Sequence, residues 1–522
     1  MNLSRALGSI GGLTLASRVL GLVRDSLFAR YVGASFASDA YLVAFRLPNM
    51  FRALFAEGAF SAAFIPMFNQ KVGDKAGDGL PAGIAFAQDV LSVLLPILIV
   101  MTVVLEILAW PLTLALSGKF HGVTHDQFAF AVMLSRFTIP YLMFISLVSL
   151  LGSILNSLHK FWVNAAAPIL LNLTLIAALL FFHDHDPFVT ARNQAVAVSV
   201  AGVLQLAWLY WSCRANGVRL RPRRPRLNPE VKALLALIWP AAAGAGAVQI
   251  NLLVSTALAA SLLDHGSVTY IYMADRVNQL PLGLIGIGLG TVLLPLISRQ
   301  LAAGEGAAAM ETQNRGLELA LLLTLPATVA LVLCGGPIVA ALFEHGKFGA
   351  QATYFTAQAL AAFSIGLPSY ILVKVLTPGY YARADTRTPV RYATISMAVN
   401  LALNLALIVP LKHMGPPLAT ALASSVNVFL LYRTLRKRGH FVPDARLRRR
   451  AWRLALAALA MGGMLWLLEG YLTPYTHGGW LIRTAAMAVL VAAGGVVYAV
   501  ATFVLGAFTR DDLAFLRRKR AA

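Results

Sequence analysis

Ionisable side chains are concentrated in the first two apolar stretches of the chain, and their types and spacing indicate anion binding. A charge at the centre of a bilayer costs roughly 2.5 to 3.5 kcal/mol, so a helix pair that carries several arginines requires a wet, polar cavity. Guanidinium groups make planar, bidentate contacts with phosphate oxygens, which makes phosphate the predicted ligand chemistry. The residues concerned are Arg18, Arg24, Asp25, Asp39, Arg46 and Arg52.

The arginines of these two stretches outnumber the acids beside them. Arg18 and Asp25 are seven residues apart and share a helix face, as do Asp39 and Arg46, so each acid is expected to pair with the arginine on its face. Some positive charge is then left over for a ligand. The alternative, a self-contained network of ion pairs that only locks the helices together, stays open.

Three arginines from different apolar stretches have similar predicted depths. With a rise of about 1.5 Å per residue, Arg24 lies about 10 Å from the outer end of its stretch, Arg276 about 14 Å and Arg52 about 20 Å. We therefore expect these three side chains to converge on the middle third of the bilayer and to bind an anion together.

The composition of the whole chain is that of a polytopic helical membrane protein. Of its 522 residues, 58% are hydrophobic and only 12% are charged, which excludes an ordinary soluble domain. Apolar runs long enough to cross about 30 Å of hydrocarbon recur along the chain. We predict an all-α fold with fourteen transmembrane helices, over residues 6–31, 37–69, 84–116, 126–157, 161–183, 190–213, 230–262, 267–300, 310–343, 350–382, 388–411, 415–436, 448–470 and 480–507.

The net charge of +21 could suggest nucleic-acid binding, but the positions of the basic residues argue against it. When loops are assigned alternately to the two sides, most of the 43 lysines and arginines fall on one side, with clusters at 214–232, 433–453 and 510–520. By the positive-inside rule, both termini lie in the cytoplasm. The basic clusters are therefore topology signals and contacts for anionic lipid headgroups, and no nucleic-acid partner is expected.

Neither the first helix nor the cysteines indicate processing or cross-linking. Arg18 and Arg24 interrupt the first apolar run and no small-residue cleavage pattern follows, so we interpret it as a retained span. Cys213 and Cys334 fall near opposite membrane faces in the predicted topology, so they are not expected to pair.

Loose internal repeats predict a two-lobed architecture. Residues 45–66 have a counterpart at 275–295, and a second similar pair of segments begins at Phe137 and Phe363. Two halves of six spans have the same orientation, which implies a parallel repeat around a central cavity. We predict an N-lobe at 1–225, a C-lobe at 226–440 and a C-terminal region at 441–522 with the last two spans. The alternative, that apolar helices resemble one another by composition alone, stays open.

Prolines inside the predicted spans indicate kinks or breaks, because proline cannot donate a helical hydrogen bond. Glycines crowd the eighth span as GLIGIGLG, which indicates close helix packing and not a nucleotide-binding loop, since no strand precedes it. The prolines concerned are Pro48, Pro66, Pro140, Pro281, Pro295, Pro368 and Pro378.

Three segments, 13–66, 272–276 and 380–390, resemble the MurJ (MviN) family of lipid II flippases, which belongs to the multidrug/oligosaccharidyl-lipid/polysaccharide exporter superfamily. The resemblance extends over the full chain and the fourteen-span plan. It implies that lipid II, the undecaprenyl-diphosphate-linked disaccharide-pentapeptide, is moved from the cytoplasmic to the periplasmic leaflet of a bacterial inner membrane for peptidoglycan synthesis. Alternating access, with the headgroup inside the cavity and the tail in lipid, is the mechanism that it implies.

The resemblance also assigns residues. Matched position by position, it implies cavity roles for Arg18, Arg24, Asp25, Asp39, Arg52 and Arg276, supported by Ser17, Arg46 and Asp275. It implies a groove for the polyprenyl tail at spans thirteen and fourteen. No cofactor is expected, and coupling to Na⁺, for which Asp385 is a candidate ligand, or to the membrane potential stays open. Expected partners are lipid II, membrane lipids, and cell-wall synthesis and division proteins.

Two other classes of protein stay open on the residues alone. A related exporter of drugs or of another lipid-linked oligosaccharide would share the two-lobed plan, but it lacks an obvious need for the last two spans and for this arginine set. A membrane-embedded enzyme would need clustered acids, bases or metal ligands. The one candidate cluster, 183–186, precedes Pro187 and is predicted to be a solvated turn.

Overall fold

The computed structural model describes residues 3–55, 59–73, 79–221, 223–476 and 478–507, and the regular secondary structure in these ranges is entirely helical, which confirms the all-α prediction. The basic cluster at 510–520 lies outside the described residues. The first ten helices are α1 (Leu3–Val32), α2 (Phe36–Phe55), α3 (Ala59–Val72), α4 (Leu80–Ile107), α5 (Ala109–Ser117), α6 (His125–Thr138), α7 (Pro140–Ser157), α8 (Phe161–Phe181), α9 (Pro187–Ala215) and α10 (Pro229–Leu262).

The second series ends at Val504 and includes one short 3₁₀ helix, Lys412–Met414. Its α-helices are α11 (Ser267–Ala302), α12 (Gly306–Leu333), α13 (Gly335–Phe343), α14 (Ala350–Ile365), α15 (Leu367–Tyr381), α16 (Arg387–Leu411), α17 (Gly415–Lys437), α18 (Ala445–Thr476) and α19 (Trp480–Val504).

Each predicted span coincides with one helix or with two consecutive helices. Among the described residues, ten helical stretches are long and apolar enough to cross a membrane. The count of fourteen crossings and the cytoplasmic position of both termini stay predictions.

Two of the predicted proline breaks separate consecutive helices. Helix α6 ends at Thr138 and α7 begins at Pro140, while α14 ends at Ile365 and α15 begins just before Pro368. The other five prolines lie inside α2, α3, α11 and α15 without ending them. A proline at the start of a helix costs no hydrogen bond, because the first N–H groups have no intrahelical partner.

The chain divides into two compact units. Unit 1 comprises Met1–Thr269 and Gly346–Phe348, and unit 2 comprises Tyr270–His345 and Gly349–Ala522. Helix α10 belongs to unit 1, where it packs against α3 and α5, and α11 begins in unit 1 and continues in unit 2. The lobe limits at 225 and 440 stay predictions.

The core of unit 1 is built from apolar faces that meet across several helices. Helix α1 packs on α8, and α2 packs on α6, α7 and α9. Stacked rings of Phe60, Phe64 and Phe86 fill the space between α3 and α4. The buried Thr138 hydroxyl donates to the Ala44 carbonyl (2.9 Å), so α6 is also joined to α2 by a polar contact.

In unit 2 the last two helices pack on α12, and the start of α18 is also joined to α12 by ion pairs. An apolar cluster that includes Leu454, Met461 and Leu465 of α18 packs beside the α12 side chains. The buried Glu318 carboxylate of α12 pairs with Arg446 (3.4 Å) and Arg450 (3.3 Å) of α18. It also pairs with its neighbour on α12, Arg315.

The two cysteines are buried in different units, Cys213 in unit 1 and Cys334 in unit 2. Both thiols are free in the structure.

Candidate functional site

Asp39 lies in the first turn of α2 and is almost completely buried, with 2% of its surface exposed. Its Oδ2 accepts a hydrogen bond from the Gly266 backbone N–H (2.7 Å). Its Oδ1 accepts from both the backbone N–H (2.9 Å) and the hydroxyl (2.6 Å) of Thr269. An anion is favoured at the start of a helix, where N–H groups are unpaired. The carboxylate therefore caps α11. The spacing had predicted a pair between Asp39 and Arg46, and that prediction was wrong.

Arg24 and Asp25 of α1 form a buried ion pair. Arg24 Nη2 and Nε donate to Asp25 Oδ1 at 2.7 and 3.0 Å, and Arg24 Nη1 donates to Asn172 Oδ1 of α8 at 3.1 Å. Asn172 Nδ2 in turn donates to the Ser17 carbonyl (2.9 Å). The prediction that Asp25 pairs with Arg18 was wrong, because the guanidinium of Arg24, the next residue in the chain, pairs with this carboxylate. Arg24, Asp25 and Asn172 together fix α1 against α8.

Three other candidate arginines of the first two helices are more accessible than Arg24. Arg18 is exposed on α1 and forms no ion pair within the part of the chain that the structure describes. Arg46 and Arg52 are half-buried on α2. Arg52 Nε donates to Asn49 Oδ1 (3.1 Å), one turn earlier in the same helix. Of the four, Arg18 presents its charge most openly.

Arg276 lies on α11 in unit 2 and contacts an aromatic side chain. Its Nη2 donates to the Tyr272 hydroxyl (2.9 Å), and its guanidinium carbon lies 4.7 Å from the centre of that ring. Such cation–π stacking orients a guanidinium and leaves its charge in place. The neighbouring Asp275 is half-buried and accepts a hydrogen bond from Gln279.

The chain matches a known protein family over most of its length. A family model described as "Lipid II flippase MurJ" matches residues 28–504. The chain belongs to the MurJ family of lipid II flippases. A probable lipid II flippase MurJ from Rhizobium tropici is 39% identical over 99% of this chain and 96% of its own length. The lipid II flippase MurJ of Burkholderia cenocepacia is 37% identical over 89% and 90%.

Two solved structures establish the fold that this MurJ-family chain shares. Lipid II flippase MurJ in an inward closed conformation superposes with a TM-score of 0.77 at 24% identity, covering 95% of this chain and 98% of the other. An inward-facing multidrug resistance MATE family transporter of the MOP superfamily gives 0.67 at 15% identity, covering 81% and 94%.

Sequence reasoning missed three polar partners in this MurJ-family chain. Asn172 is an amide inside an apolar span, a signal that could have been noticed, because a buried polar group needs a partner. Tyr272 lies one helical turn before Arg276, which also could have been noticed. Thr269 carries no local signal, since its partner Asp39 lies 230 residues away in sequence.

Asp385, the candidate Na⁺ ligand, is instead occupied by hydrogen-bond donors. Its oxygens accept from the Thr388 hydroxyl (2.7 Å), the Thr388 backbone N–H (3.0 Å) and Arg438 Nη1 (2.6 Å). The bonds from Thr388, and then the one from Arg438, lower the pKa of Asp385 to about 2. Three donors leave little room for a cation, so the carboxylate serves to hold the α15–α16 turn to the end of α17.

The candidate enzyme cluster at 183–186 is an exposed turn, as predicted. The Asp186 carboxylate accepts from the Phe188 N–H (2.9 Å) and caps α9. Within the described residues no group of three potential metal ligands occurs.

Proposed function

We infer that this protein is a lipid II flippase of the bacterial inner membrane. The observation that carries the inference is the family match over residues 28–504, supported by relatives that align along nearly the whole chain. Ten stretches of membrane-crossing length agree with a multi-pass location. The protein is a transporter and not an enzyme, so its substrate crosses the membrane without covalent change.

We propose that transport uses alternating access through fourteen crossings, with both termini in the cytoplasm. The headgroup of lipid II enters a polar lumen and the polyprenyl tail stays in lipid, next to α18 and α19. The apolar packing of α18 on α12 and the Glu318 ion pairs support a fixed position for this helix pair.

The arginines have two proposed roles. Arg18, Arg52 and Arg276 contact the diphosphate. Arg18 is exposed, and Arg52 and Arg276 lie half-buried on their helices, where Arg52 donates to the Asn49 amide and Arg276 to the Tyr272 hydroxyl. Arg24 also contacts this substrate, but its first role is to position α1 through Asp25 and Asn172.

The other assigned residues act through structure. Asp39 holds the start of α11, and its release would free that helix to move. The Ser17 carbonyl accepts a hydrogen bond from Asn172. Ser17 supports the same polar surfaces, as do Arg46 and Asp275.

A leaflet-resolved assay tests this function. Purified protein in liposomes should expose labelled lipid II in the opposite leaflet, chemically unchanged, faster than protein-free liposomes do. Arg18→Ala should slow this transport, whereas Arg192→Ala, which removes an exposed arginine from α9, should not. Equal rates with and without protein would refute the flippase.

The driving force can be tested in the same liposomes. A membrane potential acts on cavity charge with about 2.3 kcal/mol per charge per 100 mV, and a bound cation could serve instead. If the potential drives transport, a K⁺ diffusion potential will raise the rate in Na⁺-free buffer. If Na⁺ drives it, only a Na⁺ gradient will do so.

A further inference from the structure

An exposed run of arginines connects α9 to α10 in unit 1. We call the described residues 219–221 and 223–226 the arginine segment, which contains Arg219, Arg221, Arg223, Arg224 and Arg226. All five side chains are exposed, and the described residues around them are not helical. The lipid II proposal makes no use of this segment.

The backbone of the arginine segment is held against α4. Val218 and Leu220 are buried, with 2% and 8% of their surfaces exposed, so the intervening Arg219 side chain points outward. Gln88 Nε2 donates to the Arg219 carbonyl (3.2 Å). Asp89 accepts from Asn228 Nδ2 (2.9 Å), which fixes the far end of the connection. The arginines are thus presented from an anchored chain.

Most of these arginines have no acid to neutralise them. Asp89 pairs with Arg223 (3.7 Å), and the nearby Glu230 pairs with Lys71. The other four arginines of the segment form no ion pair among the residues that the structure describes. Their charge therefore faces outward.

Aromatic side chains mark the level of the segment relative to the membrane. Trp211 and Tyr210, in the last turns of α9, are 66% and 49% exposed. Trp162, at the start of α8, is 50% exposed and lies against Trp208 with ring centres 6.1 Å apart. Exposed tryptophan and tyrosine at helix ends typically lie at the membrane–water interface. The arginine segment begins eight residues after Trp211, at the level of the headgroups.

We propose that the arginine segment binds anionic phospholipids of the surrounding leaflet through their headgroup phosphates, at a site separate from that for lipid II. Guanidinium groups match phosphate oxygens in geometry, and the interfacial tryptophans place them where such phosphates occur. An acidic protein could also neutralise the arginines, but its binding would not account for the exposed tryptophan and tyrosine side chains beside them.

The test measures binding of phosphatidylglycerol to the detergent-purified full chain by native mass spectrometry. The variant Arg224→Gln/Arg226→Gln removes two exposed charges. Its matched control, Lys119→Gln/Arg192→Gln, removes two exposed charges elsewhere in unit 1. Loss of two interfacial charges should weaken the affinity of Arg224→Gln/Arg226→Gln for phosphatidylglycerol about thirty-fold. The control should stay within about twofold of the parent, because the attraction of a basic residue for a headgroup falls off within a Debye length and neither control residue belongs to the arginine segment.

Further arms of the experiment separate the lipid from other anions. Phosphatidylcholine binding should be the same in all three proteins, and inorganic phosphate should not compete with phosphatidylglycerol. Unchanged phosphatidylglycerol affinity in Arg224→Gln/Arg226→Gln, or an equal loss in the control, would overturn the proposal. Competition by free phosphate would assign the segment to soluble anions instead. Thermal unfolding of each variant verifies that binding, and not folding, has changed.

Discussion

The contact between Arg24 and Asn172 decides whether Arg24 is mainly a ligand contact or mainly a structural link. Asn172→Ala removes the acceptor that lies 3.1 Å from Arg24 Nη1 and the donor that lies 2.9 Å from the Ser17 carbonyl. Arg24→Ala removes the same bond and also leaves the buried Asp25 without its guanidinium. The double variant Arg24→Ala/Asn172→Ala measures how much of the two losses in stability comes from the contact between these two side chains.

The sizes of these effects follow from the contacts. Loss of one partner of a buried ion pair costs about 3 to 5 kcal/mol, which we expect for the unfolding free energy of Arg24→Ala. A hydrogen bond to a charged group contributes about 1.5 to 3 kcal/mol, whereas measured couplings between membrane helices seldom exceed about 1.7. We therefore expect Asn172→Ala to cost about 2 kcal/mol and the coupling between the two sites to be about 1 to 1.7 kcal/mol.

The assay is reversible unfolding of the four proteins in mixed detergent micelles, with lipid II binding measured in parallel. A control pair, Arg24→Ala with Thr174→Ala, combines the same arginine with a hydroxyl of α8 that bonds within its own helix. It should show coupling near zero. Additive losses for Arg24 and Asn172, together with weaker lipid II binding in stable Arg24→Ala, would refute the structural link.

Three other perturbations have defined outcomes. Asp39→Asn keeps the shape but removes the anion from the start of α11, so thermal unfolding should show a loss of about 1 to 2 kcal/mol; an unchanged melting temperature would contradict the capping role. Glu318→Gln leaves its arginine partners on α18 without their shared acid, so hydrogen exchange should rise selectively in the first turns of α18, and uniform exchange would argue against a local anchor. Because its pKa is lowered, Asp385 stabilises the fold fully above its unfolded pKa of about 4 and loses this effect as pH falls through about 2. Asp385→Asn should therefore flatten the stability profile in that window, and an identical profile would show that Asp385 does not stabilise the turn.

The helices were predictable because length and apolarity are local properties of the sequence. The breaks at Pro140 and Pro368 were predictable for the same reason, because the missing N–H of a proline removes a hydrogen bond within one helical turn. Polar partnerships were not predictable from spacing. Arg24 and Asn172 are 148 residues apart, and Asp39 and Gly266 are 227 apart, so only packing brings them together. Residues that share a helix face, such as Arg18 and Asp25, need not pair when another donor is adjacent.

The link between the last two helices and α12 also lay beyond sequence reasoning. The internal repeat predicted only that α18 and α19 belong to a C-terminal region apart from the two lobes. Glu318 of α12 pairs with Arg446 and Arg450 of α18, and the apolar face of α18 packs against α12. Deletion would thus expose both an acid and an apolar surface on α12.

The burial of both cysteines has a practical consequence for spectroscopy. Cys213 and Cys334 are 1% and 3% exposed, and thiol reagents require access to the sulfur. A new surface cysteine in each unit should therefore take up a maleimide fluorophore or a spin label while the native thiols stay unmodified. Distances between two such probes could then be followed during turnover in the otherwise unaltered polypeptide.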